Sequence, residues 1–433
     1  MPVSAALSDA GSILPQFMPP LLAPPLSLYV HFPWCVRKCP YCDFNSYTLQ
    51  GELAAEPYVA RLARDLEAQA TEVAGRTVIS VFFGGGTPSL FSPACVARVL
   101  AAARRHLSIA ADAEVTLEAN PGAIERGAFQ EYRMAGVTRV SLGAQSFAPE
   151  ALAALGRIHS ADETRRAAEE LHAAGLTNFN LDLMYALPGQ DRAGAARDVE
   201  QALSLAPAHL SHYQLTLEPG TPFAAHPPPL PDEDEAEAQL EDCASLLAAA
   251  GFGHYEVSAY ARSGRQCRHN LNYWTFGDYL GVGAGAHGKL TFPARAEIVR
   301  TVQPREPRRY LAAAPGELTR RTVSADELPF EFMLNALRLT AGFSLEEFAA
   351  RTGLAGATIA APLARLAARG LLERTAGGYG ASELGLRFLN DLLVEFMPES
   401  PAAGRSSAVS IVRAGGARDS LRPLFTGAEG AVE

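Results

Sequence analysis

Three cysteines, Cys35, Cys39 and Cys42, fall within eight residues in the pattern C-x3-C-x2-C. Thiolates are soft ligands suited to iron–sulfur clusters and to zinc. Structural clusters and structural zinc sites ordinarily take four protein ligands. Three thiolates on one short loop can ligate three irons of a [4Fe–4S] cubane and leave the fourth iron open. An open coordination position is what separates catalytic from structural metal sites. A zinc loop completed by a distant Cys or His is the alternative, although zinc ligands more often come in C-x2–4-C pairs. The remaining cysteines, Cys95, Cys243 and Cys267, are scattered. Six cysteines in 433 residues do not make a disulfide scaffold, and clustered thiols suit a reducing compartment.

A second group with chemical potential is His269–Trp274, which reads H-N-x-x-Y-W. The His269 imidazole is a candidate axial ligand for iron. Tyr273 and Trp274 offer flat apolar faces for a macrocycle. The competing explanation is a capped turn whose aromatics are packed in a core. Further polar residues stand where strands are expected to end: Glu118, Gln145 and Asp182, with the glycine run Gly84–Gly86. Glycines after a strand permit close backbone approach to a ligand, although a bare glycine run is more often a turn. Taken singly, each of these polar residues is equally a solvated or structural one.

These residues need elements to position them. Apolar strand patterns run over 26–30, 78–83, 114–118, 137–142, 179–184 and 209–217. Helical patterns lie between them at 58–73, 93–106, 123–135, 161–174 and 195–205. Alternation of this kind predicts a parallel α/β architecture. The glycine-rich and polar segments follow the strands, as the chemistry-bearing loops of β/α barrels do. Six units predict a partial (β/α)6 TIM-like barrel, with a doubly wound sheet as the alternative.

The domain reading follows from these patterns. Residues 1–25, rich in proline, form a flexible N-terminal segment, and 26–230 form the barrel. Residues 231–325 form a linker region that carries the H-N-x-x-Y-W motif. Residues 326–397 form a C-terminal α+β domain, with helices at 330–339, 345–350 and 359–368, a hairpin at 371–379 and a helix at 384–396. That order is winged-helix-like. Residues 398–433, rich in Ala, Gly, Ser and Arg, form a disordered tail.

The cysteine pattern resembles the signature of radical S-adenosylmethionine enzymes. Further stretches are similar to one branch of that family: Leu28–Cys35 (LYVHFPWC), Gly84–Pro88 (GGGTP), Glu118–Pro121 (EANP), Ser141–Phe147 (SLGAQSF), Leu155–His159 (LGRIH) and Asn180–Gly189 (NLDLMYALPG). That branch holds the oxygen-independent coproporphyrinogen III oxidases and their heme-chaperone relatives, and the resemblance spans about residues 26–396. It implies that Cys35, Cys39 and Cys42 hold a [4Fe–4S] cluster. It implies also that S-adenosylmethionine chelates the open iron and is cleaved by one electron to a 5′-deoxyadenosyl radical. Tyr29, the backbone of Tyr41, Gly85, Gly86, Thr87, Glu118, Gln145, Arg157 and Asp182 match cofactor contacts of the branch. Arg157 is suited to pair with the cofactor carboxylate.

Two features separate the oxidases from the chaperones. The oxidases continue C-x3-C-x2-C-x-C, and here the last position is Phe44, which carries no thiol. The H-N-x-x-Y-W motif marks the chaperone side, and there His269, Tyr273 and Trp274 are the implied heme contacts. The function implied is a heme chaperone that binds heme and delivers it to acceptor hemoproteins, respiratory ones at a membrane face among them, served by an electron donor. The alternative is a coproporphyrinogen III oxidase that decarboxylates propionates by radical chemistry.

Bulk composition excludes other classes. With 48% hydrophobic and 19% charged residues the chain is globular. A net charge of −10 argues against a phosphate-backbone binder. The winged-helix-like segment from Asp326 to Glu395 carries six arginines and no lysine against nine acidic residues. That balance disfavours nucleic acid and a regulator that senses iron–sulfur status, and suits a lid or docking module. The first 25 residues contain no basic residue, and no run of about 20 apolar residues is present. The expected location is the cytoplasm.

Overall fold

The computed structural model describes residues 19–123 and 128–398. Six strands alternate with helices: β1 (Leu26–Phe32), β2 (Thr77–Gly85), β3 (Ser108–Ala119), β4 (Arg139–Gln145), β5 (Phe179–Tyr185) and β6 (His209–Gln214). Each pairs in parallel with the next, from β1 to β6. The order runs one way through all six, without the reversal that defines a doubly wound sheet. It is the winding of a partial barrel. Leu28, Val30, Val81 and Phe83 are fully buried along β1 and β2, and burying such a side chain is worth about 1.5–3 kcal/mol. Two of the connecting helices start where their sequences supply clear caps. Ser160 and Glu163 form a reciprocal capping box at Ala161–Ala173, and Asp191 caps Arg192–Ser204.

The region after residue 230 does more than link two domains. Its helix Glu233–Ala249 starts from an Asp232 cap, and its Gln239 bonds to the backbone of Ala186 and Gln190 in the barrel. Six further strands follow: β7 (Gly253–Glu256), β8 (Ala259–Ala261), β9 (Asp278–Val282), β10 (His287–Phe292), β11 (Glu297–Val302) and β12 (Thr319–Thr322). They extend the same sheet at both edges, giving twelve strands in the order β12-β11-β10-β9-β1-β2-β3-β4-β5-β6-β8-β7. A buried charge cluster ties β9 to β10 and to the start of β2. Asp278 accepts from Lys289 at 2.8 Å, from Arg76 at 2.8 Å and from the Thr291 backbone at 2.7 Å.

The C-terminal domain has its own core, in which Phe332, Met333, Leu337, Phe348 and Leu366 are buried. Its hairpin is Leu372–Thr375 with Gly378–Ala381. Val257, Phe276 and Ile298 from the extended sheet belong to the same core, so the domain is docked through apolar contact. The last residues of the proline-rich start are tied down. The Leu22 N–H donates to the Ala350 carbonyl, and the Pro25 carbonyl accepts from the Asp278 N–H. The rest of the expected flexible start, residues 1–18, and the expected tail from 399 lie outside the described residues. Among the described residues, no helix is long and apolar enough to cross a membrane.

Candidate functional site

The cysteine loop leaves β1 at Pro33 and is drawn closed at its base. Trp34 and Cys35 pair in parallel with Tyr47 and Thr48. Inside this noose the Cys42 N–H donates to the Cys39 carbonyl at 3.1 Å, which makes the turn at Pro40 and Tyr41. Lys38 Nζ donates to the carbonyls of Phe44 and Ser46, each at 3.0 Å. Asn45 reaches outward: its Nδ2 donates to the carbonyls of Ala284 at 2.9 Å and Arg305 at 3.0 Å.

All three cysteines are free and line one cavity of about 420 Å³. Burial pushes the Cys35 and Cys42 thiols up from the ordinary range, so metal uptake must release protons there. No other Cys and no His lines this cavity among the described residues. Cys95, Cys243 and Cys267 are buried elsewhere. The zinc alternative therefore finds no fourth thiol or imidazole here. No set of three or more His, Cys, Asp or Glu side chains among the described residues is arranged to hold a single ion. A cubane does not need that, because it takes one thiolate on each of three irons.

The strand ends bring the remaining candidates to the same cavity. Tyr41, Gly85, Gly86, Thr87, Glu118, Gln145, Arg157 and Asp182 all line it. Gly86 is required by space: a Cβ there would lie 2.6 Å from the Trp34 carbonyl oxygen and 3.0 Å from Cys35 Sγ. Gly85, at φ +121°, donates its N–H to Glu118 Oε2 at 3.0 Å. Arg157 Nη2 donates to the Gly143 carbonyl at 2.7 Å, and its Nη1 lies 3.8 Å from Cys39 Sγ. Its Nε is buried without a partner. That spare donor, a guanidinium beside a thiol, and the cradle that a Gly86 Cβ would fill all fit an amino-acid ligand on a thiolate-bound cluster.

Two carboxyls share the floor. Burial and the neighbouring Asp182 push Glu118 up to about 8, against the Gly85 N–H, which favours the anion. Burial also raises Asp182, although Asn180 and Ser141 donate to it at 2.7 and 3.2 Å. A cationic ligand brought beside such carboxyls favours their ionised forms. Gln145 closes β4 at φ +67°, unusual for a residue with a side chain. A register irregularity between Gly143 and Gln145 sets its aim, and its Oε1 accepts from the Tyr213 hydroxyl at 2.9 Å.

A second cavity, of about 980 Å³, adjoins the first, and Phe44, Gly85 and Glu118 line both. Tyr29 lines this second space, with its hydroxyl 3.0 Å from His31 Nδ1. The helix Arg268–Trp274 divides its candidates between different surroundings. Tyr273 faces the second cavity. His269, only 2% exposed, lines neither cavity. Its ring stacks on Phe82 at 4.9 Å and its Nδ1 lies 3.0 Å from Ser80 Oγ, while its Nε2 is buried without a partner. Burial, with Arg139 nearby, pushes this imidazole down to about 3, so it is neutral. Trp274 lies under the Arg338 guanidinium at 4.4 Å.

Ser141, Ser211, Tyr213 and Arg338 also line the first cavity and were not foreseen. A signal existed for two of them. Ser211 and Tyr213 alternate along β6, and polar residues on the face of a parallel strand that should be apolar deserve notice. Arg338 comes from the C-terminal domain, and no local pattern marks it.

Comparison with known proteins agrees with this geometry. Residues 29–203 match the radical SAM superfamily, and residues 323–388 match the HemN C-terminal domain. The chain is 49% identical to the heme chaperone HemW of Escherichia coli K12, over 87% of this chain and 99% of that protein. It is 44% identical to the heme chaperone HemW of Haemophilus influenzae, with the same coverage. Radical S-adenosyl methionine domain-containing protein 1, mitochondrial, of Mus musculus is 36% identical over 90% of this chain and 91% of its own length. In structure the chain is similar to the coproporphyrinogen III oxidase HemN of Escherichia coli. The TM-score is 0.73 at 23% identity, covering 86% of this chain and 90% of that one, and this likeness concerns the fold alone.

Proposed function

Because the chain belongs to the HemW family of the radical S-adenosylmethionine superfamily, we propose that it is a heme chaperone that binds heme and delivers it to acceptor hemoproteins. Cys35, Cys39 and Cys42 would hold the [4Fe–4S] cluster. When bound, the cluster supplies one-electron chemistry directed at S-adenosylmethionine. The chain's own residues position that cofactor. The spare Arg157 donor takes its carboxylate, and the backbone from Gly85 to Thr87 lets its amino group approach. Glu118, Gln145 and Asp182 complete the polar lining, and Tyr41 contributes through its backbone. Tyr29 stands on the far side of the shared wall.

Heme is the cargo, and the His269–Trp274 segment is its candidate contact. Tyr273 already faces an open space. The neutral His269 imidazole has a free Nε2 suited to iron, and it meets heme only when the shell of Phe82 and Tyr29 opens. The acceptor hemoproteins, an electron donor and the absence of any nucleic-acid partner belong to the same reading. The acidic balance of the C-terminal domain supports the last of these.

The observation that carries the chaperone over the oxidase is Phe44. It stands where the oxidase pattern has a fourth thiol, and it lines both cavities. The test is anaerobic reconstitution of the cluster, followed by two assays on one preparation: hemin binding and coproporphyrinogen III consumption. Retention of hemin without turnover is expected. Turnover at enzyme-like rates overturns the reading.

A further inference from the structure

The larger cavity has features the cofactor does not use. Its volume of about 980 Å³ lies at the upper end for small-molecule sites, which suits a ligand as broad as a tetrapyrrole. One wall is aromatic: the rings of Tyr273 and Tyr279 lie 4.2 Å apart between centroids, and both line the space. The same cavity is lined by two exposed cations, Arg305 and Arg309. Two carboxylates also line it, but both are engaged with backbone. Glu306 accepts from the N–H groups of Arg308 and Arg309 at 3.1 and 2.8 Å, and Glu317 accepts from the Ala314 N–H at 3.0 Å. Among the described residues, no carboxylate lies within ion-pair distance of either guanidinium.

The rim is held in place. The Pro304 carbonyl accepts from the Gly285 N–H at 2.9 Å, and the Arg305 carbonyl accepts from Asn45 Nδ2 at 3.0 Å. Aromatic rings and two guanidiniums lining one cavity, on a rim whose backbone is anchored at residues 304 and 305, are complementary to a flat aromatic dicarboxylate.

We propose that this cavity is the seat of the heme macrocycle, with Arg305 and Arg309 taking its two propionate carboxylates. The assignment rests on the heme-chaperone reading and gives its cargo a place. The seated macrocycle shares the wall of Phe44, Gly85 and Glu118 with the cofactor cavity. Arg305 and Arg309 set its orientation, with the propionates outward and the ring edge toward that wall.

The experiment uses the full-length, cluster-reconstituted protein and three variants: Arg305→Ala, Arg309→Ala and the double variant. Hemin and hemin dimethyl ester, in which the propionates carry no charge, are titrated by Soret absorbance. S-adenosylmethionine affinity and thermal melting on the same samples report on the neighbouring cavity and on folding. The expected result is at least a ten-fold loss of hemin affinity in the double variant, with S-adenosylmethionine affinity and melting unchanged. The ester should bind the unmodified protein as weakly as hemin binds the double variant, and the substitutions should not alter its affinity. Equal hemin affinity in the double variant and the unmodified protein overturns the seat while leaving the chaperone reading standing. So does equal affinity for hemin and its ester. If the unmodified protein holds no hemin in this titration, the chaperone reading itself falls, and the seat with it.

Discussion

At the scale of single residues the chemistry divides between metal ligands and the carboxyls beside them. Replacing Cys39 by Ser should abolish cluster retention, read as bound iron and visible absorbance, while the circular dichroism of the protein stays unchanged. Glu118 gives a pH prediction with a definite sign. Its folded-state value of about 8 lies above the ordinary 4.5, so in that window the folded chain keeps a proton that the unfolded chain has released. The contribution to stability is fully present below about 4.5 and is lost as pH rises through about 8. Cluster-free protein should therefore lose stability between about pH 5 and 8 by up to ~1.4 kcal/mol per pH unit. Glu118→Gln keeps an acceptor for the Gly85 N–H and should flatten that slope in thermal melts taken across the range. The gathering of the cysteines and strand-end polar residues around one cavity was legible in the sequence because each stands just after or at the end of an apolar strand pattern. The splitting of His269 from Tyr273 was not. Which neighbours in a short helical motif face a cavity depends on what the helix packs against, and the ring of Phe82 that covers His269 comes from a strand nearly 190 residues earlier in the chain.

At the scale of elements, glycines and buried charges decide whether loops and strands can be where they are. Gly86→Ala places a methyl 2.6 Å from the Trp34 carbonyl oxygen, and backbone cannot yield cheaply there. Reconstituted variant should hold less iron and bind S-adenosylmethionine at least ten-fold more weakly in equilibrium dialysis. Asp278→Ala leaves Lys289, with a side chain only 2% exposed, without its carboxylate. The expected loss is about 3–5 kcal/mol, read as a lower denaturant midpoint and earlier exposure of β9 to hydrogen exchange. The six barrel strands were legible because each is an apolar run followed by a turn signal. The added strands β7–β12 were not, for the opposite reason. They are short and partly polar, as Thr319–Thr322 (TRRT) shows. A charged edge strand reads like a loop, and its charge is what keeps such an edge from pairing with another chain.

At the scale of the whole molecule, the C-terminal domain helps to build the site. Arg338 lines the cofactor cavity, covers Trp274 and donates to the buried Glu256 at 3.1 Å. Arg338→Ala should cost about 3 kcal/mol by leaving Glu256 buried and unpaired. Trp274 is one of only two tryptophans, so the loosened junction should be visible as a shift in intrinsic fluorescence before the main unfolding transition. The three helices and the hairpin of this domain were legible in the sequence, whereas the last helix expected at 384–396 is two short ones, Glu383–Arg387 and Leu389–Val394. The docking of the domain was not legible, because Phe276, Phe332 and Arg338 meet only after the chain has folded. Sequence periodicity reports which face of an element is apolar, not which distant element will cover it.

Asn45 gives the molecule a property that neither cavity has alone. One end of this side chain's span is the loop that carries the metal ligands, and the other is the Arg305 carbonyl at the rim of the larger cavity. Equilibria joined through such a tie obey reciprocity: whatever factor cluster uptake adds to affinity at the rim, occupancy of the rim must return to the retention of the cluster. Were cluster uptake to tighten the rim's hold on a ligand, the same factor would strengthen cluster retention once the rim is occupied, so the metal status of such a molecule would be readable in its affinity for cargo.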